Sequence, residues 1–401
     1  MAEPNVAEPG RECWITGIGI VSCLGEGPDA HWQALDGGKA HRDAATYAPY
    51  IVHPLAPMSF DAQISKKGDQ RQMEPWQRIG VYAAGLALDG AGVKGDAGIL
   101  GRMDMIVAAG GGERDLAVDG AILTGLPKAP NADRFLNERL MNDLRPTLFL
   151  AQLSNLLAGN ISIVHGVTGS SRTFMGEESA GVDAVRIALA RIEAGQSDIA
   201  LVGGAQNGER KEMLMLYEFG GFVLKGEFAP VWERGTHAGF ALASMGAFLV
   251  LESAAHARAR GAKPLARLAG VASTRSDRKP GAVTAALEAL WRKLGPATGT
   301  SGMAVISGAT GVAPATAEEH AFLGAHQLVV RATGTHIGHG VEPQFAMNIA
   351  LAALAISRGH LFASADAGER PLDEALRSAV VTGVGHWRGE GLALVQAVGT
   401  G

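Results

Sequence analysis

Apolar positions fall alternately in continuous runs and in helical stripes along the chain. ECWITGIGIVSCLG (12–25) is an apolar, β-branched run closed by glycine, the pattern of a strand buried on both faces. A short helical stripe over 28–37 carries Trp32 and Leu35. Residues 40–70 are polar and proline-bearing and predict no regular element. Trp76, Ile79, Val81, Ala84 and Leu88 recur at helical spacing in 73–92, before a glycine. MDMIVAAGGG (103–112) predicts a second buried strand with a glycine turn, 115–150 a cap of short helices, and 151–166 a helix followed by a strand. The strongest stripe is 179–195, with Val182, Val185, Leu189 and Ile192 on one face and Gly195 at its end. SDIALVGGAQ (197–206) and FALASMGAFLVLES (240–253) predict further buried strands.

The second half repeats this order. LARLAGVAS (265–273) parallels 12–22, MAVISGAT (303–310) parallels 105–112, and FAMNIALAALAISRG (345–359) parallels the helix at 179–195. SAVVTGVGHWRGEGLALVQAV (378–398) parallels 197–206 together with 240–251. The match is in the order of elements, not in identity. It predicts an α/β protein of two similar halves, 12–255 and 256–401, behind a disordered lead-in over 1–11.

Composition narrows the class. At 47% hydrophobic and 19% charged, the chain is neither disordered nor fibrous. Its 55 glycines, without a three-residue period, fit tight turns and close backbone packing. A net charge of −5 argues against a nucleic-acid partner. Cys13 and Cys23, ten residues apart in or beside a strand pattern, form no disulfide framework or metal motif and read as inert packing residues. The N-terminus has no basic region followed by an apolar one, and no apolar stretch is long enough to span a membrane, so a cytoplasmic location is expected.

The ordered motifs resemble the β-ketoacyl-acyl-carrier-protein synthase family. WITGIGIVSCLGEG (14–27), with Trp32, Gly38 and Lys39 after it, looks like that family's first strand and helix. RPTLFLAQLSNLLAGNISIVHGVTG (145–169) is similar to its approach to the nucleophile, and GQSDIALVGGAQ (195–206) to the strand after the nucleophile helix. APVWERGTHAGFALASMGAFLVLESAAHARARGAKPLARLAG (229–270) carries the closest likeness. The resemblance implies a thiolase-like five-layer αβαβα fold, a dimer built by strand pairing across a two-fold axis, and no cofactor or metal.

The family's chemistry needs a cysteine at a strand-to-helix elbow, two histidines that assist decarboxylation of a malonyl thioester, and a threonine-bearing loop for the phosphopantetheine arm. Counting back from Gly195, Asp198 and Gly203-Gly204, with Gly181 as a further anchor, puts Glu178 at the nucleophile position, or Glu177 one residue away. The first histidine position falls on Gly308 in GATGVAP (308–314), where Thr310 remains, with Glu318 or Glu319 beyond. In RATGTHIGHG (331–340), His336 or His339 can stand for the second. The glycine-rich turn near the C-terminus is replaced by VGHWRGEG (384–391), bulkier and charged.

Blander roles exist for each feature. Glu177 and Glu178 complement the dipole of a helix N-terminus. Ser179 lacks the glycine that a G-x-S-x-G elbow needs. His336 and His339 have no further ligand that would make a zinc site, and VAAGGGERD (107–115) lacks the dinucleotide fingerprint. The basic stretches HARARGAK (256–263) and KGDQRQ (67–72) are solvated helix ends or contacts for an acidic carrier protein. The resemblance therefore implies a ketosynthase-like subunit of fatty-acid or polyketide elongation that has lost condensation. Its partners would be an acyl carrier protein and, as heterodimer partner, a cysteine-bearing ketosynthase, with a homodimer as the other assembly. The alternative is a malonyl-carrier decarboxylase or an acyltransferase with a rewired site, resting on His336, His339 and Thr310.

Overall fold

The computed structural model describes residues 11–145, 148–235, 238–296 and 301–399, apart from the side chains of Leu150 and Ala151. Residues 1–10 of the expected lead-in lie outside these; Arg11 is pinned by its bond to Asp198 and to Ser253 Oγ at 2.9 Å.

Among the described residues, ten strands form the path of an eleven-stranded sheet: β1 Cys13–Ser22, β2 Asp104–Ala108, β3 Ser171–Phe174, β4 Ile199–Gln206, β5 Met245–Ser253, β6 Ala266–Thr274, β7 Met303–Ser307, β8 Val330–Ala332, β9 Ser378–Val384 and β10 Glu390–Gln396. Their order across the sheet is β8-β7-β9-β10-β6-β1-β5-β4-β2-β3, with a two-residue strand, Gly25–Glu26, beside β1. The principal helices are α1 Gly27–Asp36, α2 Pro75–Gly90, α3 Leu116–Gly125, α4 Ala132–Asp143, α5 Leu156–His165, α6 Glu177–Glu193, α7 Lys211–Phe219, α8 Ala254–Ala259, α9 Ala282–Leu294, α10 Ala315–Ala325, α11 Thr333–Ile337 and α12 Gln344–Arg358.

The order reads the same outward from the middle. β1-β5-β4-β2-β3 and β6-β10-β9-β7-β8 pair antiparallel, antiparallel, parallel, parallel in turn. Only two residue pairs, Trp14↔Arg267 and Ile15↔Ala266, join the halves at β1–β6. Helices α2 and α5 cover the first half, α9 and α10 the second, and α6 packs against α12 between them. This is the five-layer αβαβα arrangement of two pseudo-symmetric halves.

Local sequence sets the layer spacing. All ten residues of β1 are buried, and α2 lies so close that a Cβ at Gly19 would stand 1.9 Å from the Ala83 carbonyl oxygen. Only glycine admits that approach. α12 is buried along 13 of its 15 residues, as a helix between two sheets must be. One expectation needs correction: ISIVHG (161–166) is not a strand. It forms the last turns of α5, closed by Gly166 at φ 77°, and the strand comes later, at β3. Three β-branched residues in a run of four do not distinguish the two, and Leu157, Ala158 and Ile161 supply the helical stripe that does.

Candidate functional site

Three glycines bring the site together. A Cβ at Gly181 would lie 2.3 Å from the carbonyl oxygen of Glu342, so α6 and the segment 338–343 meet there without a side chain between them. A Cβ at Gly391 would lie 2.4 Å from Val182 Cγ1, and one at Gly389 3.1 Å from Ser179 Cβ, which seats the 384–391 turn on the same end of α6. The elbow before α6 is strained, with Gly176 at φ 127° and Glu177 at φ 61°. Glu178 is the second residue of the helix and points inward, 5% exposed.

Around it the side chains converge. His339 Nε2 lies 2.8 Å from Glu178 Oε1. His386 Nδ1 lies 2.9 Å from Oε1 and 3.1 Å from Oε2, and the His386 backbone N–H donates to Oε1 at 3.2 Å. The other face of the His386 ring, at Nε2, looks to Glu177 at 3.7 Å, and Trp387 Nε1 donates to Glu177 Oε2 at 2.5 Å. Tyr217, Phe222 and Phe240 surround His386 edge-on, their centroids 5.4, 4.6 and 5.6 Å from its own. Phe240 also packs on His339.

Burial pushes the Glu178 carboxyl up, but the charge of His386 and the hydrogen bonds from both histidines outweigh it and hold the group ionised, below the usual carboxylate range. Burial pulls His386 down, and the Glu178 charge and hydrogen bond more than reverse this, so its pKa is raised. A buried ion pair in an aromatic cage results. Glu342 behaves oppositely. It is buried, its Oε2 has no partner among the described residues, and burial, reinforced by Glu178 and Glu177, pushes it up to about 7.

Of the residues singled out from sequence, Glu178 and His339 meet. Glu177 lies beside them, facing His386 and Trp387, and the others make their contacts elsewhere. His336 packs edge-on against Phe362, and burial, then Arg331, draws it down to about 4. Gly308, just after β7, donates its N–H to Thr382 Oγ1 at 3.0 Å; a Cβ there would lie 2.6 Å from the Thr382 carbonyl oxygen, so the backbone as it stands has no room for a side chain. Thr310 Oγ1 accepts from Val312 N at 3.1 Å within its own turn. Glu319 is buried beneath, accepting from Ser307 and Thr382 hydroxyls, and Glu318 ties α10 to α9 through Thr284 N at 3.0 Å. Ser179 Oγ donates to the Gly176 carbonyl, a helix-start contact. Cys13 and Cys23 are buried, with desolvation pushing both thiols up, Cys23 to about 12. In the basic stretch 256–263, His256 and Arg260 both contact Glu252, and Arg258 faces Glu12 at 3.7 Å.

His386, Glu342 and Tyr217 were not singled out from sequence. The altered 384–391 turn was the one available signal for His386; nothing local marks the other two. Glu177, Glu178 and His386 offer ligand atoms within 4.8 Å of one another. His386 Nδ1 is hydrogen-bonded to Glu178 Oε1 at 2.9 Å, while its Nε2 stands 3.7 Å from Glu177, beyond hydrogen-bond distance.

The sequence profile of the β-ketoacyl synthase N-terminal domain matches residues 11–257. The chain belongs to the β-ketoacyl synthase family. It is 26% identical over 273 residues to 3-oxoacyl-[acyl-carrier-protein] synthase 2 of Vibrio harveyi, covering 65% of this chain and 62% of that protein. It is 27% identical over 281 residues to the tetracenomycin polyketide synthase ketoacyl synthase beta subunit of Streptomyces glaucescens, covering 67% and 64%. The matches thus span less than two thirds of these relatives' length. Among solved structures, the ishigamide ketosynthase/chain length factor superposes with a TM-score of 0.78 at 19% identity, covering 97% of this chain and 100% of that one. A β-ketoacyl synthase from Burkholderia phymatum gives 0.77 at 18% identity, with the same coverage. These ketosynthases share the thiolase-like fold. No helix among the described residues is long and apolar enough to cross a membrane.

Proposed function

We propose that this chain is a condensation-incompetent ketosynthase subunit that pairs with a cysteine-bearing ketosynthase and shapes the tunnel for its growing acyl chain. The observation that carries this reading is Glu178, ionised and held by His339 and His386 at the start of α6, the position we assign to the family's cysteine. A carboxylate is a poor acyl acceptor, because a mixed anhydride is high in energy. Its charge repels a malonyl carboxylate. Both nearby imidazoles are spent on it, and Gly308 leaves no room for another.

The sheet edges support pairing. At the β8 edge, Arg331 Nε donates to the Phe362 carbonyl at 2.7 Å and Ala332 N donates to Glu369 at 2.6 Å, so a chain segment covers it. At the equivalent β3 edge Ser171 and Arg172 are exposed, with Ile163 and Met175 beside them 73% and 65% exposed. An open edge with apolar flanks is a template for another chain. An acyl carrier protein would deliver the phosphopantetheine-borne chain to the pair.

Co-expression with a cysteine-bearing ketosynthase tests this. A one-to-one complex is expected, with product chain length changing when tunnel-lining residues of this chain are enlarged. A tight homodimer that ignores the ketosynthase would overturn it. The rival reading, a malonyl-carrier decarboxylase or acyltransferase, draws on the two imidazoles gathered at the α6 N-terminus.

A further inference from the structure

We propose that Glu342, Arg210 and the glycine loop 110–112 form a proton-operated latch, which holds the loop while Glu342 is protonated and frees it when Glu342 is ionised. The latch is independent of whether the chain pairs with a ketosynthase. Its first half is a carboxyl that its surroundings do not complete. Glu342 is 6% exposed, and its Oε2 has no partner among the described residues. A Cβ at Gly110 would stand 2.8 Å from its Oε1, so the carboxyl rests on the bare backbone of the loop. The residue before it, Val341, is buried and takes φ 59°. A β-branched residue is strained in that conformation, and strain of this kind is characteristic of segments that switch. Gly340, one position earlier, donates its N–H to Gln344 Oε1 at 2.8 Å and supplies the hinge.

The second half is Arg210, also 6% exposed. Its Nε donates to Glu212 Oε1 at 2.7 Å and its Nη2 to the Gly112 carbonyl at 2.8 Å, while its Nη1 reaches the Gly111 carbonyl only at 3.4 Å. The same three-residue stretch thus carries the carboxyl at one end and the guanidinium at the other. The groups facing Glu342 divide by sign. Glu177 and Glu178 of α6 repel its charge, Arg210 attracts it, and Tyr217 of α7 is neutral. Glu178 is in turn bonded by His339 and His386, and Glu113 faces Arg210 from the loop side. Burial, reinforced by the two carboxylates, keeps the proton on Glu342 until about pH 7. When the proton leaves to solvent, a buried carboxylate without a partner is costly, and Arg210 offers a charge-assisted bond. Taking it draws the guanidinium from the Gly111 and Gly112 carbonyls. The loop connects β2 to α3, so its release loosens the α3–α4 cap.

Hydrogen exchange of the whole chain, read by mass spectrometry and corrected for the intrinsic pH dependence of exchange, tests the latch. Peptides covering 110–115 and 340–343 should lose about tenfold in protection between about pH 6 and about pH 8, while β1 keeps its own. Glu342→Gln is an isostere of the protonated acid and should hold both segments closed at both values; Glu342→Asp should keep the response. Glu177→Gln removes a repelling charge and should move the midpoint to lower pH. Arg210→Met removes the receiving cation and should move it to higher pH. Opposite displacements of this kind are not expected of a merely structural carboxyl, and the glutamine variants carry the test if Arg210→Met does not fold. A response that persists in Glu342→Gln would belong to His386 and would overturn the latch. So would protection that does not change with pH in the wild type, or an unmoved midpoint in Glu177→Gln. Each readout uses this chain alone, with no ketosynthase and no malonyl thioester, so failure here is distinguishable from failure of the proposed function.

Discussion

Glu178 and His386 hold each other in their charged forms, and removing either strands the other in an apolar cage of Tyr217, Phe222 and Phe240. Breaking a buried pair in this way costs about 3–5 kcal/mol. His386→Ala should therefore unfold at markedly lower denaturant than wild type, while the double change Glu178→Gln with His386→Phe should recover much of the loss. The pH dependence follows from the directions of the shifts. Glu178 lies below its ordinary 4.5, so its contribution is present above that value and is lost as pH falls through the folded pKa. His386 lies above its ordinary 6.5, so its contribution is present below that value and is lost as pH rises through the folded pKa. The pair thus stabilises most between about 4.5 and 6.5. Glu342 works against the fold across much of the same range. Its carboxyl ionises at 4.5 when unfolded and at about 7 when folded, so stability falls as pH rises between those values. Glu342→Gln should be more stable than wild type at about pH 8, with the difference shrinking toward pH 4.5 in thermal melts.

At the scale of elements, the strands and long helices were legible because their burial is uniform. The ten-residue run of β1 and the stripe of α6 need no tertiary information to be recognised. The site was legible only where a helix start fixed it. Counting from Gly195 and Gly203 reached Glu178, but the choice between His336 and His339 depends on how the backbone turns after α11, where Gly338 takes φ 69°. That turn separates the Phe362-facing His336 from the Glu178-facing His339. His386 and Glu342 lie more than 160 residues from Glu178 in sequence, in segments joined to α6 by glycine contacts that periodicity does not report. Gly181→Ala tests this directly. Its methyl would meet the Glu342 carbonyl at 2.3 Å, and such overpacking costs typically about 1–3 kcal/mol. The same change should push the 338–343 segment off α6 and release His339 from Glu178, visible as a shift of the His339 ring signals.

The whole molecule is two copies of one topology that differ at their outer edges. The repeat of element order was readable in sequence; that one edge is covered by 361–370 and the other left open was not, because the covering segment has no periodic pattern. Thr173→Pro at the open β3 edge removes a backbone donor without touching the core. It is expected to abolish association with a partner chain, measured by sedimentation, and to leave the circular dichroism spectrum unchanged. The claim on which the functional reading stands is that the Glu178 site carries out no chemistry on a malonyl thioester. Its most direct measurement is carbon dioxide release from malonyl-carrier protein by this chain alone, beside a cysteine-bearing ketosynthase as positive control. Release no faster than the protein-free background is predicted. Release above background that disappears in His386→Ala or His339→Ala would contradict the account and establish a decarboxylase.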